Sequence, residues 1–331
     1  MGKLAFRDMI LTVFKLRKVC KLADAPGSDR RYEREASRRE KRKYFSLIVF
    51  PILPYLFFFG LRRVEKALTF NPAPFSPGQY WRPPAGAEDV GITTSDNVRL
   101  HGWFVPSRIS PALATVVYFH GNSGNIGNLG WLGEDLTARG FDTLIFDYRG
   151  YGRSGGEMRD ERDLYTDADA AYDYITRERN APPTRVALYG QSLGTAAVAD
   201  LASRRKCGAI ILESGLSSGG EMAEIKAPLF ARLLGWIGKN RLESKQKLSA
   251  IHCPVLVAHG YPDDTVPTTQ GLALFAAAPE PKELILVPGA GHNVCGFGGQ
   301  TYFDDIASFI RKALIESKDR APKTALSASS R

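Results

Sequence analysis

Cysteine and histidine are scarce in this chain: 331 residues hold four of the first and five of the second. No metal-ligand spacing occurs among them, so neither a metal nor another cofactor is expected. The sequence also lacks the Gly-Lys-Ser/Thr ending that would turn a glycine-rich turn into a phosphate loop. Net positive charge is missing from most of the molecule. Of a formal net charge of +9, a balance of +8 sits in residues 1–43, where fourteen Lys or Arg face six Asp or Glu, and residues 44–331 are close to neutral. That distribution argues against nucleic acid as a partner of the larger part.

What is present is an alternation of apolar runs and helical patterns. Strands are predicted near 90–94, 98–105, 114–120, 142–147, 185–190, 208–213, 254–259 and 283–287, and helices near 125–139, 163–179, 193–205, 268–278 and 300–316. The first two strands follow one another without a helix, as in a hairpin, and the rest alternate. The expected fold class is α/β, with a mostly parallel eight-stranded sheet flanked by helices. One sheet of this kind uses about 250 residues, so a second enzyme domain is not needed.

The stretch Gly190-Gln191-Ser192-Leu193-Gly194 follows the apolar run Arg185–Tyr189 and leads into a helix-forming segment. A strand, Gly-x-Ser-x-Gly and then a helix form a nucleophile elbow, in which the sharp turn exposes a serine hydroxyl above the sheet. Alone, the pentapeptide has an ordinary strand-to-helix turn as its bland alternative. In such a fold the acid and the histidine follow the serine in that order. An aspartate just beyond the strand Pro254–His259 faces the same sheet edge, and His292 lies on the glycine-rich loop after Glu283–Val287. His101 reads as a strand surface residue, His120 as shaping a loop, His252 as remote from that edge and His259 as packed at a strand end. His292 is the one correctly placed for a general base. The loop His120–Asn125, rich in small residues, supplies a backbone N–H at Asn122 that pairs with that of Leu193 as an oxyanion hole.

The succession Leu100–Trp103, Phe119-His120-Gly121-Asn122-Ser123-Gly124-Asn125, Phe146-Asp147-Tyr148-Arg149-Gly150-Tyr151-Gly152-Arg153-Ser154, Gly190–Gly194, Cys253–Val257 and Pro288–Asn293 resembles the membrane-anchored branch of the α/β-hydrolase-domain proteins. The resemblance spans roughly residues 64 to 316. It implies an α/β-hydrolase fold and a serine hydrolase acting on carboxylic esters or thioesters, as in depalmitoylases and lysophospholipases. The family's serine falls on Ser192, its aspartate on Asp263 and its histidine on His292. Tyr261-Pro262 departs from the small or acidic pair usual there, which favours Asp263 over the acidic neighbour Asp264, and Glu213 is a third candidate. Glu213 has a loop-anchoring carboxylate as its bland alternative. Asp147 and Arg149 are expected to brace the site through nearby backbone.

Residues 214–253 form an insertion whose Leu229, Phe230, Leu233 and Trp236 suit either a short cap with an apolar wall or a helix packed on the core. Cys207 and Cys253 precede strands that are neighbours in the family sheet, which makes a disulfide conceivable in an oxidising compartment. Cys295 is read as a packing residue.

Residues 44–61 contain no charge. At 1.5 Å per residue such a segment spans roughly 27 Å, near the thickness of a bilayer core. Pro51 and Pro54 weaken a helix there, and a surface-lying or re-entrant segment is the alternative. The expected organisation is a basic arm at 1–43, a transmembrane anchor at 44–61, a hydrolase domain at 62–316 and a disordered tail at 317–331. The basic arm places the N-terminus in the cytoplasm, on anionic lipid, and the hydrolase domain on the opposite, periplasmic or extracytoplasmic side. The expected substrate is a small-molecule or lipid ester. A serine peptidase of the same fold and a catalytically silent membrane scaffold are the competing readings, and the oligomeric state is open.

Overall fold

The computed structural model describes residues 38–40, 43, 55–234 and 238–319, with backbone only at 230, 233–234 and 316–319. The chain divides into two units, 1–61 and 62–331. Most of the basic arm, residues 44–54 of the expected anchor, Trp236 and the last twelve residues, 320–331, lie outside the described residues. Residues 55–69 are helical, and Tyr55, Leu56, Phe57, Phe58 and Phe59 are exposed on the part within the first unit. Among the described residues no helix is long and apolar enough to cross a membrane.

Eight strands make the central sheet: β1 (Glu88–Thr93), β2 (Arg99–Val105), β3 (Ala114–Phe119), β4 (Phe141–Phe146), β5 (Val186–Gln191), β6 (Ala209–Glu213), β7 (Val255–Tyr261) and β8 (Lys282–Pro288). The helices that matter below are α1 (Gly130–Ala138), α2 (Glu161–Asp173), α3 (Leu193–Arg204), α4 (Gly219–Lys226), α5 (Pro228–Leu234), α6 (Ser244–Lys247), α7 (Thr268–Ala277) and α8 (Val294–Asp319). Strand order across the sheet is β1-β2-β4-β3-β5-β6-β7-β8. β2 runs antiparallel to both its neighbours, and every other pairing is parallel.

The unbroken apolar runs of β3 and β6 follow from burial of both faces. Every residue of the two strands is buried, as expected when helices cover a parallel sheet on each side. Val117, Phe119, Leu188 and Leu212 pack into one core, while Val116, Tyr118, Tyr189 and Ile211 pack into the other. Neighbours along a strand thus alternate between two separate cores.

Strand order also fixes where a site can form. The chain passes from β3 outward to β4 on one side, then returns to place β5 on the other. Loops leaving the carboxyl ends of β3 and β5 therefore diverge, and the crevice between them is the usual ligand position in such sheets. Asn122 and Ser192 lie on those two loops.

The elements differ from the sequence expectation mainly at their ends. Asn125 is extended and its side chain accepts from Gly127 N, capping a short 3-10 turn, so α1 starts only at Gly130. α2 gives way at Tyr174 to a wider helical turn rather than continuing to 179. α8 begins at Val294, bends at Gly299 and runs to Asp319, past the expected start of the tail. In the 214–253 insertion Leu229 on α5 is 76% exposed, whereas Leu242, Leu248 and Ile251 are buried. Its second half packs on the core, and the side chains of Phe230, Leu233 and Trp236 lie outside the described residues. Cys207 and Cys253 are free thiols with their sulfurs 3.4 Å apart.

Candidate active site

Ser192 is the single residue between the end of β5 and the start of α3, with φ 51° and ψ −115°. A side chain in that left-handed region costs on the order of 1–3 kcal/mol and persists only where the surroundings over-determine it. The two glycines of the motif supply part of that constraint. A Cβ on Gly190 would stand 2.5 Å from the carbonyl oxygen of Gly194, and one on Gly194 would stand 2.0 Å from that of Phe119. Only glycine lets the strand, the helix start and the end of β3 approach so closely. The peptide is then tied at both sides, since Ser192 N donates to Glu213 O at 2.8 Å and Thr195 N donates to Ser192 O at 3.0 Å.

His292 Nε2 lies 3.0 Å from Ser192 Oγ, and its Nδ1 lies 2.8 Å from Asp263 Oδ2. A carboxylate can only accept, so Nδ1 carries the proton and, in the neutral ring, Nε2 is free to accept from the serine hydroxyl. Asp263 is fixed in turn. Its side chain is fully buried, and Oδ1 accepts from Thr265 N at 2.8 Å and Val266 N at 2.9 Å. His259 Nε2 donates to Val266 O at 2.9 Å and lies 3.3 Å from Asp263 Oδ2. Burial of the His259 ring holds its pKa below the ordinary histidine value. Three side chains from the loops after β5, β7 and β8 thus form one chain of hydrogen bonds.

The alternative acids go elsewhere. Asp264 is exposed and presents its backbone oxygen to Lys226 Nζ. Glu213 is fully buried at the end of β6 and reaches tyrosines and α8 rather than His292.

Asn122 and Leu193 also come to Ser192. A Cβ on Gly121 would lie 3.5 Å from Ser192 Cβ, and Gly194 packs on the carbonyl of Phe119, so loop and helix start meet beside the serine. Asn122 Oδ1 accepts from Asn71 N at 2.7 Å and from Tyr151 Oη at 3.3 Å. A two-residue parallel pairing of Asn71–Pro72 with Ser123–Gly124 completes the clamp. Sequence reading missed it, because so short a pairing leaves no periodic pattern.

His120 lies below the loop, its Nδ1 2.7 Å from Gly121 O. Burial pulls its pKa down to about 4. Beside it, 3.9 Å from His120 Nε2, Asp147 Oδ1 accepts from Ile126 N, and burial pushes that carboxyl up to about 7. Arg149 departs from the expected pairing with backbone. Its guanidinium is 1% exposed and meets Asp96 at 2.7 Å, Asp167 at 2.8 Å and Asp163 at 3.1 Å. Asp96, Asp163 and Asp167 lie 53, 14 and 18 residues from Arg149, too far for a short motif to reveal the cluster. Among the described residues no group of three or more His, Cys, Asp or Glu is arranged to hold a metal ion.

Known proteins resemble the chain in both sequence and fold. The family profile described as serine aminopeptidase, S33, matches residues 110–246. An uncharacterized protein of Mycobacterium tuberculosis is 35% identical over 238 residues, covering 70% of this chain and 82% of that protein. The esterase Pf2001 of Pyrococcus furiosus superposes with a TM-score of 0.59 at 20% identity, over 74% of this chain and 98% of that one. α/β hydrolase domain-containing protein 17B of Xenopus tropicalis is 35% identical over 224 residues, 67% of this chain and 74% of that protein. That degree of identity, on this sheet and over this length, means that the chain belongs to the α/β-hydrolase family and is a hydrolase of the serine type.

Proposed function

We propose that the protein hydrolyses carboxylic esters or thioesters of lipid or acyl substrates, with Ser192 as nucleophile, His292 as base and Asp263 as its orienting acid. The single observation that carries this reading is His292, which bridges Ser192 Oγ and Asp263 Oδ2 with its two ring nitrogens. As Ser192 Oγ bonds to the substrate carbonyl carbon, its proton passes to His292 Nε2 and Asp263 stabilises the imidazolium. The N–H groups of Asn122 and Leu193 hold the oxyanion. Collapse expels the alcohol or thiol, which takes the proton from His292. Water then attacks the acyl-enzyme, its proton goes to His292, and Ser192 recovers it as the acid leaves. The esterase name of the Pyrococcus neighbour supports an ester substrate.

A serine peptidase is the second reading, favoured by the description of the matching family profile. Parallel assays on p-nitrophenyl esters and aminoacyl p-nitroanilides separate the two. Residues 44–61 further serve as a single-pass anchor, with the basic arm on cytoplasmic anionic lipid and the hydrolase domain on the opposite side. Supporting this are the uncharged run and the exposed aromatics from Tyr55 to Phe59.

One experiment tests both parts. Fluorophosphonate labelling of separated membrane and soluble fractions should mark the full chain in membranes, and Ser192→Ala should lower labelling and ester turnover by on the order of 10⁴–10⁶ while the fold survives. Undiminished labelling of Ser192→Ala refutes the nucleophile, and labelled full-length chain in the soluble fraction alone refutes the anchor.

A further inference from the structure

Glu213 carries a fully buried carboxylate that the reaction above does not use. Its Oε1 accepts from Gln191 Nε2 at 3.2 Å and from Cys295 N at 3.1 Å. Its Oε2 accepts from Tyr302 Oη at 3.0 Å and from Tyr189 Oη. Burial, with the Glu213 charge next, keeps both phenols protonated, their pKa values well above the ordinary tyrosine range, so both donate. Among the described residues no Lys or Arg forms an ion pair with this carboxylate, and hydrogen bonds offset its burial. A buried charge held in that way is costly to misplace.

Two of its contacts point at the site. Gln191 precedes Ser192 and stands opposite Glu213 in the register of β5 and β6, while the Glu213 carbonyl holds Ser192 N. Cys295 N belongs to the first turn of α8, three residues past His292, where unpaired N–H groups and the helix dipole favour a negative partner. One residue thereby grips the nucleophile's peptide with its backbone and the start of the histidine's helix with its side chain. The other ties of that helix start are weaker or local: Gln191 Nε2 at the end of β5 reaches the Cys295 sulfur only at 3.7 Å, and Asn293 Oδ1 bonds Gly296 N at the start of α8 itself.

We propose that Glu213 is a positioning residue: its carboxylate, by capping the start of α8 from the end of β6, sets the separation between Ser192 and His292. The inference rests on those two residues being the reacting pair. A displacement near 1 Å between reacting groups lowers turnover by about 10²-fold, and such a loss enters kcat with KM kept when substrate contacts are intact.

Two substitutions separate this role from simple bracing. In Glu213→Gln the amide oxygen still accepts from Cys295 N, and the amide nitrogen faces phenols whose oxygens can accept in turn. In Glu213→Asp the carboxylate retreats by one methylene and leaves Cys295 N. With activity referred to folded enzyme by active-site titration, Glu213→Gln should keep kcat within about threefold, whereas Glu213→Asp should lose about 10²-fold in kcat with KM within about twofold. Wild-type kcat in Glu213→Asp overturns the proposal. So does a fall in thermal midpoint with kcat per folded molecule unchanged, or an equal loss of kcat in both variants. If Glu213→Asp fails to fold, Tyr302→Phe takes its place, since it frees the far side of the carboxylate: a severalfold loss of kcat supports the proposal and none overturns it. Failure of the underlying function is distinguishable, because the wild type itself would then neither label nor turn over ester.

Discussion

Two polar constellations are buried near the same sheet edge, one around Arg149 and one around Ser192, and they use their hydrogen-bonding capacity differently. The guanidinium of Arg149 is closed off by Asp96, Asp163 and Asp167, and Asp167 Oδ2 also accepts from Arg149 N at 2.8 Å. Asp263 is satisfied just as fully, but it hands its last contact to His292, whose side chain is 28% exposed and whose other nitrogen ends on a serine hydroxyl. Both arrangements reach solvent, the first at the carboxylate of Asp96, which is 41% exposed, and at Arg159, but only the second ends on a hydroxyl nucleophile. Charge and burial alone therefore do not mark a reactive site. A hydrogen-bond chain that terminates at an accessible nucleophile does.

The sharpest break of that contrast is Asp263→Asn. Thr265 N and Val266 N donate to Oδ1, so the amide oxygen must occupy that position and the NH₂ must face His292 Nδ1. The ring then takes the opposite tautomer, with Nε2–H against Ser192. Turnover of p-nitrophenyl ester should fall on the order of 10⁴-fold with little change in unfolding. A loss under tenfold would show that the orienting carboxylate lies elsewhere.

Arg149→Met should do the reverse. Removing Arg149 leaves the fully buried Asp167 without its cation, while Asp163 and Asp96 keep Arg159, and costs about 3–5 kcal/mol, read as a lowered urea midpoint, while kcat per folded molecule stays within about twofold. An unshifted midpoint, or a loss of kcat in the folded enzyme, would erase the distinction between the two constellations.

The smallest effect concerns the pair between them, His120 and Asp147. His120 is held neutral down to about pH 4, below its unfolded value near 6.5, so its contribution to stability is lost as pH falls through that window. Asp147 keeps its proton up to about pH 7, above its unfolded value near 4, so its contribution is present in acid and lost as pH rises to about 7. Between about pH 4 and 6.5 the two slopes oppose each other. Asp147→Asn removes one of them, and the thermal midpoint of that variant should drop more steeply on acidification than that of the wild type. Parallel midpoint curves for the two proteins would refute the opposed titrations.

Much of the architecture was legible in the residues. The runs Ala114–Phe119 and Ala209–Glu213 read as buried strands because a parallel sheet covered on both faces has no polar side to interrupt them. Ser192 stood out because glycine at 190 and 194 is required wherever a strand must fold back on its own helix. His292 followed by position in the order of elements. The resemblance placed the acid on Asp263 ahead of Asp264 and Glu213; order along the chain did not separate them, since all three follow or end apolar runs.

Sequence by itself determined the alternation of elements, the elbow at Ser192 and the short set of acids and histidines able to serve it, because these are local: periodicity, turn chemistry and order along the chain. Tertiary structure alone gave Asp263 its 2.8 Å contact with His292 and showed that Asn71 and Tyr151 clamp Asn122 and that three distant aspartates enclose Arg149. Those pairings join positions separated by 14 to 53 residues. Hydrogen-bond geometry across such gaps is set by where the strands lie in the sheet, and no local pattern records it.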